Sequence, residues 1–390
     1  MRRQTDGERL RCVVPWLITG IAIILGTASV AAPQSSGPDA AQRLESEGKF
    51  SEAAEIWRAV TKARPRDSVA FASLGLDLAR QKKYAEAVAA YRKASALNPK
   101  LPGLQLNLGL AEFKQGRFDA AIAPLKAAVA SDSSSWQANT LLGMAYYGAA
   151  RFSEAVKVLK PLVESDRGNT ELRNVLAQSC LKSKDYDCAK EQFRAILEQN
   201  PDSPAAHILM GEALDGLQRT DEALTEFKTA VQLAPKEPEV HFGLGYLYWK
   251  QHQFDEAKRE FQAELALNPS HAQALAYLGD IALEAGDLDA AERFLLAATK
   301  ASDKVRIAYL DLGKLRLRRS LYAGAVEAFR QAIKIDPGKS DTHFQLARAY
   351  QAMGRKAEAA AELAKSRELH TKKDESLVLK NQESNSQPRE

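Results

Sequence analysis

Alanines stand at Ala53, Ala87, Ala121, Ala155, Ala189, Ala223, Ala257, Ala291, Ala325 and Ala359, and every interval is 34 residues. A second series of small residues keeps the same interval: Ala41, Gly75, Gly109, Gly143, Ala177, Gly211, Gly245, Gly279, Gly313 and Ala347. A third follows each alanine by four and is large and apolar: Trp57, Tyr91, Leu125, Leu159, Phe193, Phe227, Phe261, Leu295, Phe329 and Leu363. Prolines close six of the ten units, at Pro65, Pro99, Pro201, Pro235, Pro269 and Pro337. No insertion breaks the register between residues 34 and 373. A fixed period of this length marks an array of one repeated supersecondary unit, which stacks on its neighbours because a single unit cannot bury its own apolar face.

Each unit holds two apolar-periodic segments of about a dozen residues, the pattern of two short amphipathic helices. Between them lie turns such as Gln81-Lys82-Lys83-Tyr84 and Gln115-Gly116-Arg117-Phe118. A glycine inside a helix costs about 1 kcal/mol against alanine. Its return at one register position predicts a close approach of the paired helices, where a larger side chain would overpack. Proline after the second helix stops its continuation. The first unit carries Pro38, so its helix is expected to start with Asp39 as N-cap.

The residues Phe71, Leu74-Gly75, Leu78, Ala87, Tyr91, Ala94 and Pro99 follow the pattern of the tetratricopeptide repeat (TPR), which this chain resembles over residues 34–373. The resemblance implies an all-α, right-handed superhelical solenoid of about ten 34-residue helix-turn-helix repeats. It also implies a non-enzymatic scaffold or adaptor that binds protein or peptide segments in a concave groove lined by the first helix of each repeat. Carried over by repeat position, groove contacts are expected from Phe113, Met144, Tyr147, Phe242, Tyr246, Trp249 and Tyr277, since exposed aromatics anchor interfaces. Lys314, Arg318 and Arg348 would add a basic trio able to pair with carboxylates. The family's Lys/Asn clamp for acidic carboxy-terminal peptides is not reproduced: Ala72 and Leu76 stand where Lys and Asn would be needed.

Outside the array, residues 1–31 read as an export signal. Arg2, Arg3, Arg9 and Arg11 precede an apolar run from Trp16 to Leu25, and Ser29-Val30-Ala31 fits a small-residue cleavage site. The uncharged run from Cys12 to Ala32 is also just long enough for an uncleaved anchor. These readings give an exported periplasmic or envelope scaffold, or an inner-membrane-anchored assembly factor presenting the same groove. Membrane contact is expected only through that segment. Residues 374–390, mostly polar, read as a mobile tail.

The formal net charge of +4 over 390 residues argues against nucleic acid as partner. No Gly-x-Ser-x-Gly elbow, phosphate-cradling loop or close-packed histidine pair is present, so no catalytic residue, metal or cofactor is expected. Cys180 and Cys188 are the one local chemical pair. Across a hairpin turning near Lys184 they face each other and either bond or remain two buried thiols.

Overall fold

The computed structural model describes residues 37–385. Among them there are twenty α-helices and no strand. The chain divides into two compact units, with the boundary between Pro201 and Asp202.

The first unit holds α1 (Pro38–Ser46), α2 (Phe50–Ala63), α3 (Ser68–Arg80), α4 (Tyr84–Leu97), α5 (Leu104–Lys114), α6 (Phe118–Ser131), α7 (Trp136–Gly148), α8 (Phe152–Ser165), α9 (Thr170–Lys182) and α10 (Tyr186–Gln199). The second holds α11 (Pro204–Gly216), α12 (Thr220–Leu233), α13 (Val240–Lys250), α14 (Phe254–Leu267), α15 (Ala272–Glu284), α16 (Leu288–Ala301), α17 (Arg306–Arg318), α18 (Tyr322–Ile335), α19 (Ser340–Ala352) and α20 (Lys356–Asn385). Odd-numbered helices are the first of each repeat and even-numbered ones the second. Within each unit every helix packs on the next, and the first helices of successive repeats also touch at α5–α7, α13–α15 and α15–α17.

The three sequence series are the core of each hairpin. All ten alanines are buried. A Cβ built on Gly143 would stand 2.3 Å from Cδ2 of Leu159, and one on Gly313 would stand 2.3 Å from Cε1 of Phe329. The small residue of the first helix therefore seats the large apolar residue sixteen positions on. Phe193, Phe261 and Phe329 are fully buried in that seat.

The turns follow a rule hidden in the sequence. Gly48, Lys82, Gly116, Ala150, Lys184, Gln218, His252, Gly286, Ser320 and Gly354 all have positive φ, one per repeat at intervals of 34. Lys82 N–H donates to the Ala79 carbonyl and Lys83 N–H to the Leu78 carbonyl, the paired bonds of a Schellman ending. Only four of the ten are glycine, so composition alone does not mark the position.

One expectation fails at the start of the array. Gly37, not Asp39, is the N-cap of α1, and Pro38 occupies the first turn, where its missing N–H has no intrahelical partner to lose. At the other end α20 runs on to Asn385, into the stretch read from sequence as a polar mobile tail, of which residues 386–390 lie outside the described residues. The register position that holds Pro337 one repeat earlier holds Thr371, and the next proline is Pro388, so nothing in the backbone stops the helix. The expected signal segment, residues 1–31, lies outside the described residues. Among the described residues no helix is long and apolar enough to cross a membrane.

Candidate functional site

In a first helix, positions three before, one after and four after the small packing residue share one stripe, because they are spaced i, i+4, i+7. In α13 these are Phe242, Tyr246 and Trp249, all half-buried. Tyr277 of α15 joins them. Its ring centroid is 4.8 Å from Trp249, 5.7 Å from Tyr246 and 6.0 Å from Phe242, and Tyr246 stacks on Trp249 at 6.0 Å. Trp249 Nε1 donates to Asp280 Oδ2 at 2.7 Å, which fixes the indole against α15. Burial, and then the Asp215 carboxylate, push the Tyr246 phenol above its ordinary value, so it stays a neutral donor at physiological pH.

Beside this patch lies a cavity of about 290 Å³ between α11 and α13. Phe227, Phe242 and Tyr246 supply its aromatic walls, and Glu212, Asp215 and Glu239 its carboxylates. Lys250 Nζ meets Asp215 Oδ1 at 2.5 Å.

Glu239 is the residue that sequence reasoning missed. It has φ of 72° and precedes a first helix that starts two residues late in the register, at Val240. Another late first helix, α5, is preceded by Gly103 with φ of 73° at the equivalent position. Pro102-Gly103 and Pro238-Glu239 are the middle pairs of two turns closed by Leu104 N–H to Leu101 O and Val240 N–H to Glu237 O. That is the pattern of a type II turn, whose third residue is normally glycine. The signal was present as a proline followed by a non-glycine one residue before the delayed helix.

Glu239 is held by its neighbours. Its N–H donates to Glu264 Oε1 at 3.4 Å, and Glu264 Oε2 accepts from Phe242 N–H at 3.3 Å, so a buried carboxylate caps α13. His271 Nε2 reaches Glu239 Oε2 at 3.1 Å, and this hydrogen bond holds the Glu239 carboxyl below its usual range. Glu239, Glu264 and His271 bring ligand atoms within 4.8 Å of one another, a metal-like spacing. The donor chemistry does not fit a metal well. His271 Nδ1 accepts from Ala274 N–H at 3.0 Å as the N-cap of α15, so Nε2 carries the ring proton. Metal binding at Nε2 would require giving up that cap.

Three other histidines pair inside their hairpins. Nδ1 of His207, His241 and His343 lies 2.6 Å from Glu226, Glu260 and Glu362, each nineteen residues on.

The remaining expected contacts are scattered. Phe113 is buried, with its ring 5.2 Å from Phe118, and Met144 is 3% exposed. Both are buried and not exposed as expected, Phe113 against the Phe118 ring of α6. Tyr147 is half-buried and donates to Gln178 Oε1 at 2.6 Å. Lys314 pairs with the buried Asp311 at 2.7 Å, and Arg318 donates to the Leu283 carbonyl with Glu284 at 3.7 Å. Arg348 is exposed, with Gln345 at 3.2 Å. Cys180 and Cys188 are joined by a disulfide across the α9–α10 hairpin, with Cα atoms 5.7 Å apart.

Tetratricopeptide repeat models match residues 39–102, 72–136 and 242–305, and a second set matches 112–179, 181–244, 216–263 and 317–377. The chain belongs to the tetratricopeptide repeat family. Among solved structures it is similar to yeast Tom70, at 15% identity over 85% of this chain and 91% of that one, with a TM-score of 0.43. It is also similar to the APC/C hetero-tetramer Cut9-Hcn1, at 12% identity over 85% and 86% of the two chains, with a TM-score of 0.47. A third is the C-terminal part of a TPR repeat-containing protein from Cytophaga hutchinsonii, at 17% identity over 62% and 99%, with a TM-score of 0.47. No curated protein matches. TPR arrays are typical protein-interaction scaffolds, and in this TPR chain the α13–α15 patch is the cluster of half-buried aromatic side chains on first helices.

Proposed function

We propose that this TPR protein is a non-enzymatic scaffold that binds an extended protein segment across the first helices of its second unit, with the aromatic patch as anchor. The observation that carries this reading is the contiguous set Phe242, Tyr246, Trp249 and Tyr277, half-buried and set beside an open cavity. Rigid aromatics of this kind bind with little loss of side-chain freedom, and a few of them dominate binding at interfaces. The Arg-rich start and apolar run before the array support export, so the scaffold works in the cell envelope.

The test is capture of partners from envelope extract on residues 32–390, with Tyr246→Ala/Trp249→Ala as control. Partners should be lost with the double variant while its far-ultraviolet circular dichroism is unchanged. Partners retained equally by both would remove the patch as anchor. Sequencing the mature amino terminus separates a cleaved signal from an anchor: a start at Ala32 supports release, and a retained residues 12–32 segment supports tethering.

A further inference from the structure

We propose that the cavity between α11 and α13 takes the positively charged side chain, Lys or Arg, of the segment bound by the neighbouring aromatic patch. This rests on the reading of that face given above and adds the charge of the residue it selects. The first argument is space. At the register position of Gly243 the first helices α11, α15 and α17 carry Leu209, Tyr277 and Asp311. The absent side chain in α13 lets Phe227 approach until a Cβ on Gly243 would be 2.1 Å from Cε1 of its ring, so that Gly243 and this ring together line the cavity. At about 290 Å³ it suits one side chain and not a folded element.

The second argument is charge complementarity. Glu212, Asp215 and Glu239 line the cavity and no basic side chain does; Lys250 pairs with Asp215 and His271 with Glu239. Phe227, Phe242 and Tyr246 supply aromatic faces, which attract cations through their ring quadrupoles. Carboxylates around aromatic walls recognise a side chain that is cationic at its tip and apolar along its stem. The third argument is the choice of Glu239. Its position suits glycine, as Gly103 shows in the matching turn, yet a carboxylate faces the cavity there.

The test begins with the full chain and a random twelve-residue peptide display library. The tightest selected peptide is resynthesised with each Lys or Arg replaced by norleucine. Affinities are measured by calorimetry for the wild type, Glu212→Gln and Glu239→Gly. One basic residue should lose about tenfold or more in affinity on replacement, a typical effect for a partly desolvated cation in such surroundings. That loss should shrink to about twofold or less in both variants. Glu212 is exposed and Glu239→Gly installs the residue found in the matching turn, so both variants should fold. Peptides that bind through Tyr246 without a basic residue, or whose basic residue is read equally by the variants, would overturn the cavity assignment and leave the scaffold reading standing. Selected peptides indifferent to Tyr246→Ala, or no selected peptide at all, would overturn both.

Discussion

At the scale of single residues the array tolerates local costs that its own repeats show to be avoidable. Asp77 is 1% exposed and neither carboxylate oxygen has a hydrogen-bond partner. Burial, with Glu45 adding repulsion and Arg80 opposing, pushes its carboxyl up to about 7. The folded chain therefore holds a proton that the unfolded chain gives up near 3.8, so stability falls as pH rises from about 4 to about 7 and is level above. The same register position holds Ala111, Ala145 and Ala213 elsewhere. Asp77→Ala should raise stability at pH 8 by about 1–3 kcal/mol, the usual cost of an unpaired buried polar group. The gain should be smaller at pH 4, where the carboxyl is neutral, and urea midpoints at both values check this. Ala150 is a second such cost, with φ of 57° at the position where four repeats use glycine. Ala150→Gly should stabilise by about 0.5–1 kcal/mol, because the left-handed strain of an L-residue outweighs the added backbone freedom. A urea midpoint unmoved or lowered would refute that.

At the scale of elements, helix pairing was legible because packing needs small and large residues sixteen apart, and those survive as a period. The turns were less legible: Lys82, Ala150, Lys184, Gln218, His252 and Ser320 adopt the left-handed conformation because the two helices dictate it, not because their side chains favour it. Phe113 and Met144 misled for the reverse reason. Their register positions face the binding side in the family, but here both side chains are buried. Glu239 was missed because its role depends on a turn that delays a helix by two residues, for which the Pro238-Glu239 pair is a weak mark. The α9–α10 hairpin adds a covalent tie, since Cys180 and Cys188 are eight residues apart and bonded. Closing so short a loop contributes about 2–3 kcal/mol in the chain-entropy account. Cys188→Ala and reduction of the wild type should lower stability by that same amount. Alkylation under denaturant, with and without reductant, should label two more thiols only after reduction.

At the scale of the whole molecule, stability is distributed. Each repeat leans mainly on its neighbours, so unfolding need not be a single event. Each of the two compact units has its own buried clusters, one centred on Trp57 and Tyr91 and others on Phe261, Leu295 and Phe329. Gly143→Val would force a branched side chain against Leu159, a clash costing about 1–3 kcal/mol or more. Scanning calorimetry of that variant should show a transition moved to lower temperature while a second endotherm stays where the wild type has it. A single transition moving as a whole would mean the two units melt together.

The turn that ends every first helix has a consequence for how such a chain can change length. Because the left-handed residue recurs at the same phase in all ten repeats, removing one complete period within a unit joins two ends that already match in backbone conformation and in packing partner. Removing any other number of residues would pair the wrong faces. Inheritable size variation in such a chain is therefore quantised: the gene can lengthen or shorten by whole periods of 34 codons with modest effect, and by little else.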